Sequence, residues 1–336
     1  MKKRSLYLCV AFLMLLCNGS FGQQSELNQV GTSMANFLKI GVGARATAMG
    51  DAFVALSDDI SALYWNPGGL GILNKNEILF QVTDWLLDSR LYFFGLSFRL
   101  RGLGTLGISI YSFSSGDISE TTVFEPDGTG RTFSASNFAA GLTYSRKITD
   151  RFSAGLTLKY VSEHLDREKA STIAIDVGSV FDTGFLNNLR IGFALSNLGG
   201  RMQLEGAGLN VQILPEESTK YTRAQLGTEP WDIPLLFRFG LATDIIRNEG
   251  FRLTVASEVM DSRDFIHRIA TGGELAFGEK IFLRGGYRLN TDEADLTFGA
   301  GLNLTIPKNL AMKLDYAYSD YGVMDKTQRF SIIFIF

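Results

Sequence analysis

Cysteine and histidine are scarce: each occurs twice in 336 residues, as Cys9 and Cys17 and as His164 and His267. Both cysteines lie in the first 22 residues, which have the layout of a secretory signal peptide. Lys2, Lys3 and Arg4 form its basic start, residues 6–16 its apolar stretch, and Ser20-Phe21-Gly22 its cleavage site before Gln23. Leu16 stands where lipidation of Cys17 would need a small residue. An exported chain starting at Gln23 has no thiol, which excludes disulfides and thiolate chemistry. Two histidines are poor material for a zinc or haem centre. Beyond residue 22 no apolar run comes near the roughly 18 residues of a membrane-spanning helix. Excess positive charge is missing too. Of 32 Lys and Arg, the leader removes three, while all 35 Asp and Glu remain, so 29 − 35 leaves −6. That balance argues against nucleic acid as a partner. No H-E-x-x-H, G-x-S-x-G, Walker or C-x-x-C motif occurs. The expectation is a chain that is not an enzyme and that needs no cofactor and no metal.

What the chain has is alternation. In 152–160 one face reads Phe, Ala, Leu, Leu, Tyr and the other Ser, Gly, Thr, Lys. In 310–318 one face reads Leu, Met, Leu, Tyr, Tyr and the other Ala, Lys, Asp, Ala. A period of two over such lengths is strand. The pattern recurs, giving expected strands at 77–84, 90–99, 104–114, 135–147, 151–162, 171–182, 188–198, 233–245, 250–260, 265–277, 280–290, 294–305, 309–319 and 327–336. The connections tend to alternate short and long, with long ones at 115–134 and 199–232 and a charged loop at 164–170. That rhythm belongs to outer-membrane barrels, with short periplasmic turns and longer external loops. The apolar faces are aromatic-rich, as in Tyr92, Phe94, Leu96 and Phe98, and the last strand ends on Phe336. In a soluble sandwich or propeller such strands would be an aggregation hazard. The expected fold is therefore all-β: a transmembrane antiparallel β-barrel of roughly 14 strands with a short helical N-terminal plug. Residues 1–22 are the signal peptide, 23–76 the plug and 77–336 the barrel, with outer-membrane lipid around it and both termini periplasmic.

The face opposite the apolar one carries both signs of charge. Lys159, Arg190, Arg238, Arg252, Arg268, Arg284, Arg288, Lys313 and Arg329 alternate with Asp176, Glu258, Glu274 and Asp315. If lipid meets the apolar face, these groups line the lumen. They then pair with one another or stay wet, rather than forming a ring of one sign.

The segment before the first strand imitates something else. Gly41-Val42-Gly43-Ala44-Arg45-Ala46 has the G-x-G-x-x-A outline of a dinucleotide loop. The chain beyond it lacks the alternating strands and helices that loop requires. The glycines and the alanines at 44, 46, 48, 52 and 55 instead make a slim segment able to pack inside a barrel. Arg45 is the expected ion-pair anchor to lumen carboxylates. Asp51, Asp58 and Asp59 could suggest a cation site, but Ser57 and Asp58 are read as N-caps of a short helix over 60–65 that stops before Pro67.

Taken together, residues 37–71 resemble the N-terminal signature of the PorV/PorQ family of outer-membrane proteins, itself similar to the FadL-type transporters of hydrophobic compounds. The matching residues are Gly41, Gly43, Ala44, Arg45, Ala48, Met49, Gly50, Asp51 and Ala52, then Trp65, Asn66, Pro67, Gly68, Gly69 and Leu70. The resemblance implies a fourteen-stranded barrel with an N-terminal hatch and a role in type IX protein secretion. The implied partners are a secretion translocon and cargo proteins. The alternative it implies is a FadL-like channel, with a hydrophobic ligand or detergent in the lumen.

Overall fold

A computed structural model describes residues 31–213, 220–262, 265–290, 296–306, 310–322 and 326–336. The expected signal peptide lies outside the described residues. Fourteen long strands form the wall, and we number them in chain order. They are β1 (Glu77–Asp84), β2 (Arg90–Leu100), β3 (Gly104–Ser114), β4 (Ala135–Thr149), β5 (Phe152–Leu165), β6 (Glu168–Asp182) and β7 (Arg190–Gly199). Then come β8 (Leu236–Arg247), β9 (Phe251–Ser262), β10 (Phe265–Phe277), β11 (Ile281–Leu289), β12 (Leu296–Ile306), β13 (Leu310–Asp320) and β14 (Lys326–Ile335). Each pairs antiparallel with its sequence neighbours, and β14 pairs with β1, Ile335 opposite Glu77 and Gln328 opposite Asp84. Asn76 and Phe336 exchange backbone hydrogen bonds of 3.1 and 3.0 Å at this seam. A closed ring leaves no unpaired edge, which is what a wall in lipid requires.

All fourteen expected strands are present, with ends shifted by a few residues. One expected loop is not a loop. Most of 164–170 belongs to the β5–β6 hairpin, and only Asp166 and Arg167 turn between Leu165 and Glu168. Asp166 takes the left-handed backbone (φ 52°) that such a tight turn demands and that Asp tolerates. The long loops contain short ladders of their own. Residues 118–119 pair with 132–133, 201–202 with 231–232, and 210–213 with 222–225.

Alternate residues divide as the period of two requires. Phe80, Tyr92, Phe98, Leu142, Leu158, Phe298 and Phe330 point outward and are exposed. Such a band suits hydrocarbon. Inward residues are buried, and they bury a core, because the lumen is filled by residues 35–73. Among the described residues no helix is long and apolar enough to cross a membrane.

The inward face is less uniform than the sequence suggests. Leu79, Leu91, Phe93 and Tyr111 on β1–β3, with Ala139 and Val161 beyond them, form an apolar sector. The expected lumen charges that are fully buried sit almost all on β8–β14, with Asp176 on β6 the exception. The apolar sector escapes notice in the sequence because its residues share the inward faces of β1–β3 with Glu77, Gln81, Thr83, Ser97, Thr105 and Ser109, so no single strand shows it.

Candidate functional site: the plug and the wall that holds it

The plug is short pieces joined by turns. It comprises a 3-10 turn (Asn36–Lys39), α1 (Ala44–Ala48), α2 (Ala62–Trp65) and a second 3-10 turn (Pro67–Ile72). Pieces of four to six residues are too short to be stable alone, so tertiary contacts must define them. Gly43 sits at φ 88° just ahead of α1, a conformation costly for any side chain with a Cβ. Its N–H donates to Gln81 Oε1 on β1. Gly50 and Asp51 follow α1 with φ 68° and 69° and reverse the chain.

The two halves of the signature meet each other. A Cβ on Gly41 would lie 2.9 Å from the Trp65 ring and 2.8 Å from Asp51 Oδ1, so only glycine fits there. Trp65 Nε1 donates to Val42 O at 2.6 Å. Asn66 ties the second half to plug and wall together. Its Nδ2 donates to Val54 O at 2.8 Å and to Ser179 O of β6 at 2.9 Å, and its Oδ1 accepts from Gly68 N at 3.0 Å. Pro67 then opens the last 3-10 turn, where its missing N–H costs nothing. Met49 is fully buried.

Arg45 is the electrostatic centre. Its Nε lies 2.8 Å from Glu274 Oε2 on β10, and its Nη1 lies 2.5 Å from Asp58 Oδ1 and 2.9 Å from Asp59 Oδ2. The expected partners were lumen carboxylates, and Glu274 is one; the other two belong to the plug itself. This corrects the capping assignment. Helix α2 starts later than expected, and Ser61 before it makes no side-chain cap. Asp58 pairs with Arg45 and, at 3.1 Å, with Arg190. Asp59 Oδ1 takes the Ser61 N–H at 2.9 Å, and Ser57 Oγ donates back to Phe53 O. Burial by itself would raise the Asp58 carboxyl, but Arg45, then Arg190 and Lys313, outweigh it and hold it below its ordinary 3.8. Arg45 is likewise held above its ordinary value: burial opposes the charge, and Asp58, Glu274 and Asp59 more than restore it. Asp51 faces Arg288 of β11 at 2.9 Å.

The wall also answers the orphan N–H groups of these short pieces. Glu258 Oε2 on β9 accepts from both Phe53 and Val54 at 2.9 and 2.8 Å. Glu77 Oε2 accepts from Ile60 at 2.9 Å, and Glu163 Oε2 from Ala35 at 2.9 Å. Arg238 completes Glu258 at 3.5 Å and stacks over Trp65 and Tyr64, 4.9 and 5.3 Å from the ring centroids. Arg329 Nη1 donates to Thr47 Oγ1.

Reading the sequence alone overlooks one further device. Three cross-strand glycine pairs face the lumen: Gly155 with Gly178, Gly192 with Gly240, and Gly272 with Gly286. Each receives plug backbone. Cβ atoms added at Gly178, Gly192, Gly240, Gly272 and Gly286 would sit 2.8 Å from Pro67 Cδ, 2.6 Å from Ala55 Cα, 2.6 Å from Val54 Cγ1, 2.7 Å from Met49 Cβ and 2.6 Å from Gly50 Cα. The signal exists as inward-phase glycines, but it needs the strand register to be seen as pairs.

Among the described residues no group of His, Cys, Asp and Glu is arranged to hold a metal ion. What the site can do is hold a plug: it combines close backbone packing, ion pairs and N–H acceptors from eight or more strands around the ring.

Comparison with known proteins places this arrangement. The fold resembles the Ralstonia pickettii toluene transporter TbuX, with 12% identity, TM-score 0.55, and coverage of 88% of this chain and 97% of that one. It resembles the Pseudomonas putida toluene transporter TodX equally, with 12% identity, TM-score 0.55, and 88% and 96% coverage. A Pseudomonas aeruginosa FadL homologue matches at 14% identity and TM-score 0.52, over 87% and 96% of the chains. At such identities the likeness shows the barrel fold alone. No curated protein sequence matches the chain. The sequence profile of Type IX secretion system protein PorV matches residues 23–262, a span that holds the whole plug and β1–β9. This chain belongs to the PorV family of outer-membrane β-barrel proteins.

Proposed function

We propose that this chain serves type IX protein secretion as a plugged barrel that docks other proteins through its external loops. The observation that carries this is the division of labour between lumen and loops. The lumen is filled by a plug whose N–H groups and charges are met by the wall. The loop 115–134, by contrast, is built to be seen. Its ladder and turns are hydrogen-bonded, yet it displays Val123 and Phe124 at 93% and 94% exposure. Exposed neighbouring apolar side chains on an ordered loop fit a protein-docking surface. Tyr221 and Trp231 on the second long loop are exposed as well. In this reading the short turns and both termini face the periplasm.

A channel for hydrophobic molecules would need an apolar route past the plug. The cavity below the plug mixes Ile72, Leu73, Phe282, Leu302 and Ile335 with Arg45, Asp58, Arg252, Glu279, Arg284 and Asp315, so it offers no continuous apolar lining. That lining favours the docking reading.

The test is purification at native expression level from outer membranes, with mass spectrometry of what accompanies the barrel. Translocon proteins and exported cargo should be recovered, and Phe124→Asp should deplete them while the barrel still assembles. Recovery of lipid and detergent alone would overturn the proposal.

A further inference from the structure

At the short-turn end a cavity of about 400 Å³ lies under the plug, between the link 72–75 and the ends of β1, β9 and β11–β14. Its charged groups fall into two kinds. Most are committed. Arg45 holds Asp58, Asp59 and Glu274. Arg284 holds Glu274 and Asp315 at 2.8 and 2.5 Å, and Arg252 holds Glu279 and Glu274 at 2.7 and 3.1 Å. Glu77 is engaged by the Ile60 N–H.

Lys313 is not committed. It borders the cavity and has no hydrogen-bond or ion-pair partner among the described residues. Its field reaches Asp58 and Glu77 across the space, without contact. Lys75, on the link, is likewise without a partner among the described residues. The three arginines are thus matched by carboxylates, and Lys313 and Lys75 are the cations of the cavity left without a contact partner among the described residues. One acceptor is also left over. Asn303, directly opposite Lys313 on the neighbouring strand, has a buried Oδ1 with no partner.

Partly buried charge without a counter-ion is costly, and so is a buried acceptor without a donor. A single kind of guest relieves both: an oxyanion that also carries an O–H. We propose that this cavity binds a phosphate-type oxyanion, with Lys313 as its principal cation, Lys75 at the mouth and Asn303 Oδ1 accepting from its O–H. The volume far exceeds one anion, since a water occupies about 30 Å³. It therefore admits hydrated free phosphate or the phosphomonoester head of a lipid. The periplasmic address of the site rests on the orientation inferred above; the binding does not, and its failure would leave translocon co-purification untouched.

The experiment uses the full chain in detergent and in nanodiscs. Inorganic phosphate is titrated by calorimetry at constant ionic strength, and nanodiscs containing phosphatidic acid are compared with phosphatidylcholine alone. Saturable phosphate binding is expected. Lys313→Gln should weaken it about tenfold or more, the loss of one charge-assisted hydrogen bond. Lys313→Arg should retain it, and Lys75→Gln should weaken it about twofold, as for an exposed charge. Competition by phosphatidic acid nanodiscs assigns the site to a lipid head, and its absence assigns it to free phosphate. Protection of Lys313 from acetylation by phosphate, read by mass spectrometry on the unaltered protein, gives the answer without a variant. No saturable binding of either probe, unchanged affinity in Lys313→Gln, or no protection of Lys313 would overturn the site.

Discussion

On the β1–β3 side the lumen wall meets the plug with Leu79, Leu91, Phe93 and Tyr111; on the β8–β14 side it meets it with Arg238, Glu258, Glu274, Arg284 and Arg329. The two sectors enclose the same segment and hold it by different physics. The apolar sector packs Phe37, Leu63 and Leu70, with Phe37 and Tyr111 rings 5.4 Å apart. Such contacts supply burial, about 1.5–3 kcal/mol for a fully buried Leu or Phe, and tolerate sliding. The charged sector supplies direction. Its bonds have fixed lengths and angles, so it sets where α1 and the 51–60 turn sit. Buried ion pairs add little net stability over apolar packing, yet breaking one leaves a bare charge. The difference teaches that the apolar sector gives the plug its affinity and the charged sector its position.

Removing the centre of the charged sector should break this division most. Arg45→Ala leaves the buried Asp59 without its cation and takes one partner each from Glu274 and Asp58, and such a loss costs about 3–5 kcal/mol. Thermal unfolding in micelles should fall accordingly, and small solutes should leak through the barrel in liposome-swelling assays. Arg45→Lys should recover only part, because an ammonium cannot span three carboxylates as a fork does. Unchanged stability and permeability would remove Arg45 as the anchor.

The apolar sector should respond in one readout only. Leu91→Ala is expected to cost about 2–5 kcal/mol through lost burial and the cavity left behind. Liposome swelling should stay at the parent level, because the directed bonds still seat the plug. A leak as large as that of Arg45→Ala would collapse the distinction between the sectors. A third substitution addresses the glycine pairs, which serve both. Gly272→Ala puts a Cβ 2.7 Å from Met49 Cβ, and overpacking of this kind costs about 1–3 kcal/mol. Gly273→Ala, one residue on and facing outward, is the control: its nearest atom is 4.0 Å away, and the unfolding temperature should stay at the parent value.

These two sectors were unequally legible in the sequence. The barrel was readable because alternation repeats in every strand, and Arg45 was readable because a cation among small residues has to find a carboxylate. Which carboxylates was not. Asp58, with Ser57, read as a helix cap, since an Asp before an apolar run usually caps, and only the fold reveals that the turn delivers it and Asp59 to Arg45. Glu258, Glu77 and Gln81 looked like ordinary inward polar residues; their work is to accept N–H groups more than a dozen residues away in sequence. Leu79, Leu91 and Phe93 were hidden for the opposite reason. They are apolar residues scattered among polar inward neighbours such as Gln81, Thr83 and Ser97, so the sector that gives the plug its affinity emerges only when the strands stand side by side.

The smallest expected effect sharpens the comparison, because pH touches only the charged sector. Asp58 is folded with its carboxyl held below the ordinary 3.8, chiefly by Arg45 acting against burial. A group depressed in this way stabilises the fold fully above its unfolded value and loses that contribution as pH falls through the folded one. Acidification from about pH 5 to pH 3 should therefore lower the unfolding midpoint of the parent, with the loss starting near pH 4. Asp58→Asn removes that contribution and should give a shallower acid slope, while Leu91→Ala should shift the whole curve without changing its slope. The difference will be modest, because the Asp58 side chain is 34% open to solvent, which screens its pairs with Arg45 and Arg190. Equal acid slopes in the parent and Asp58→Asn would mean that Arg45 is held by Glu274 and Asp59 alone, and would move the plug's electrostatic attachment entirely to the buried side of the cluster.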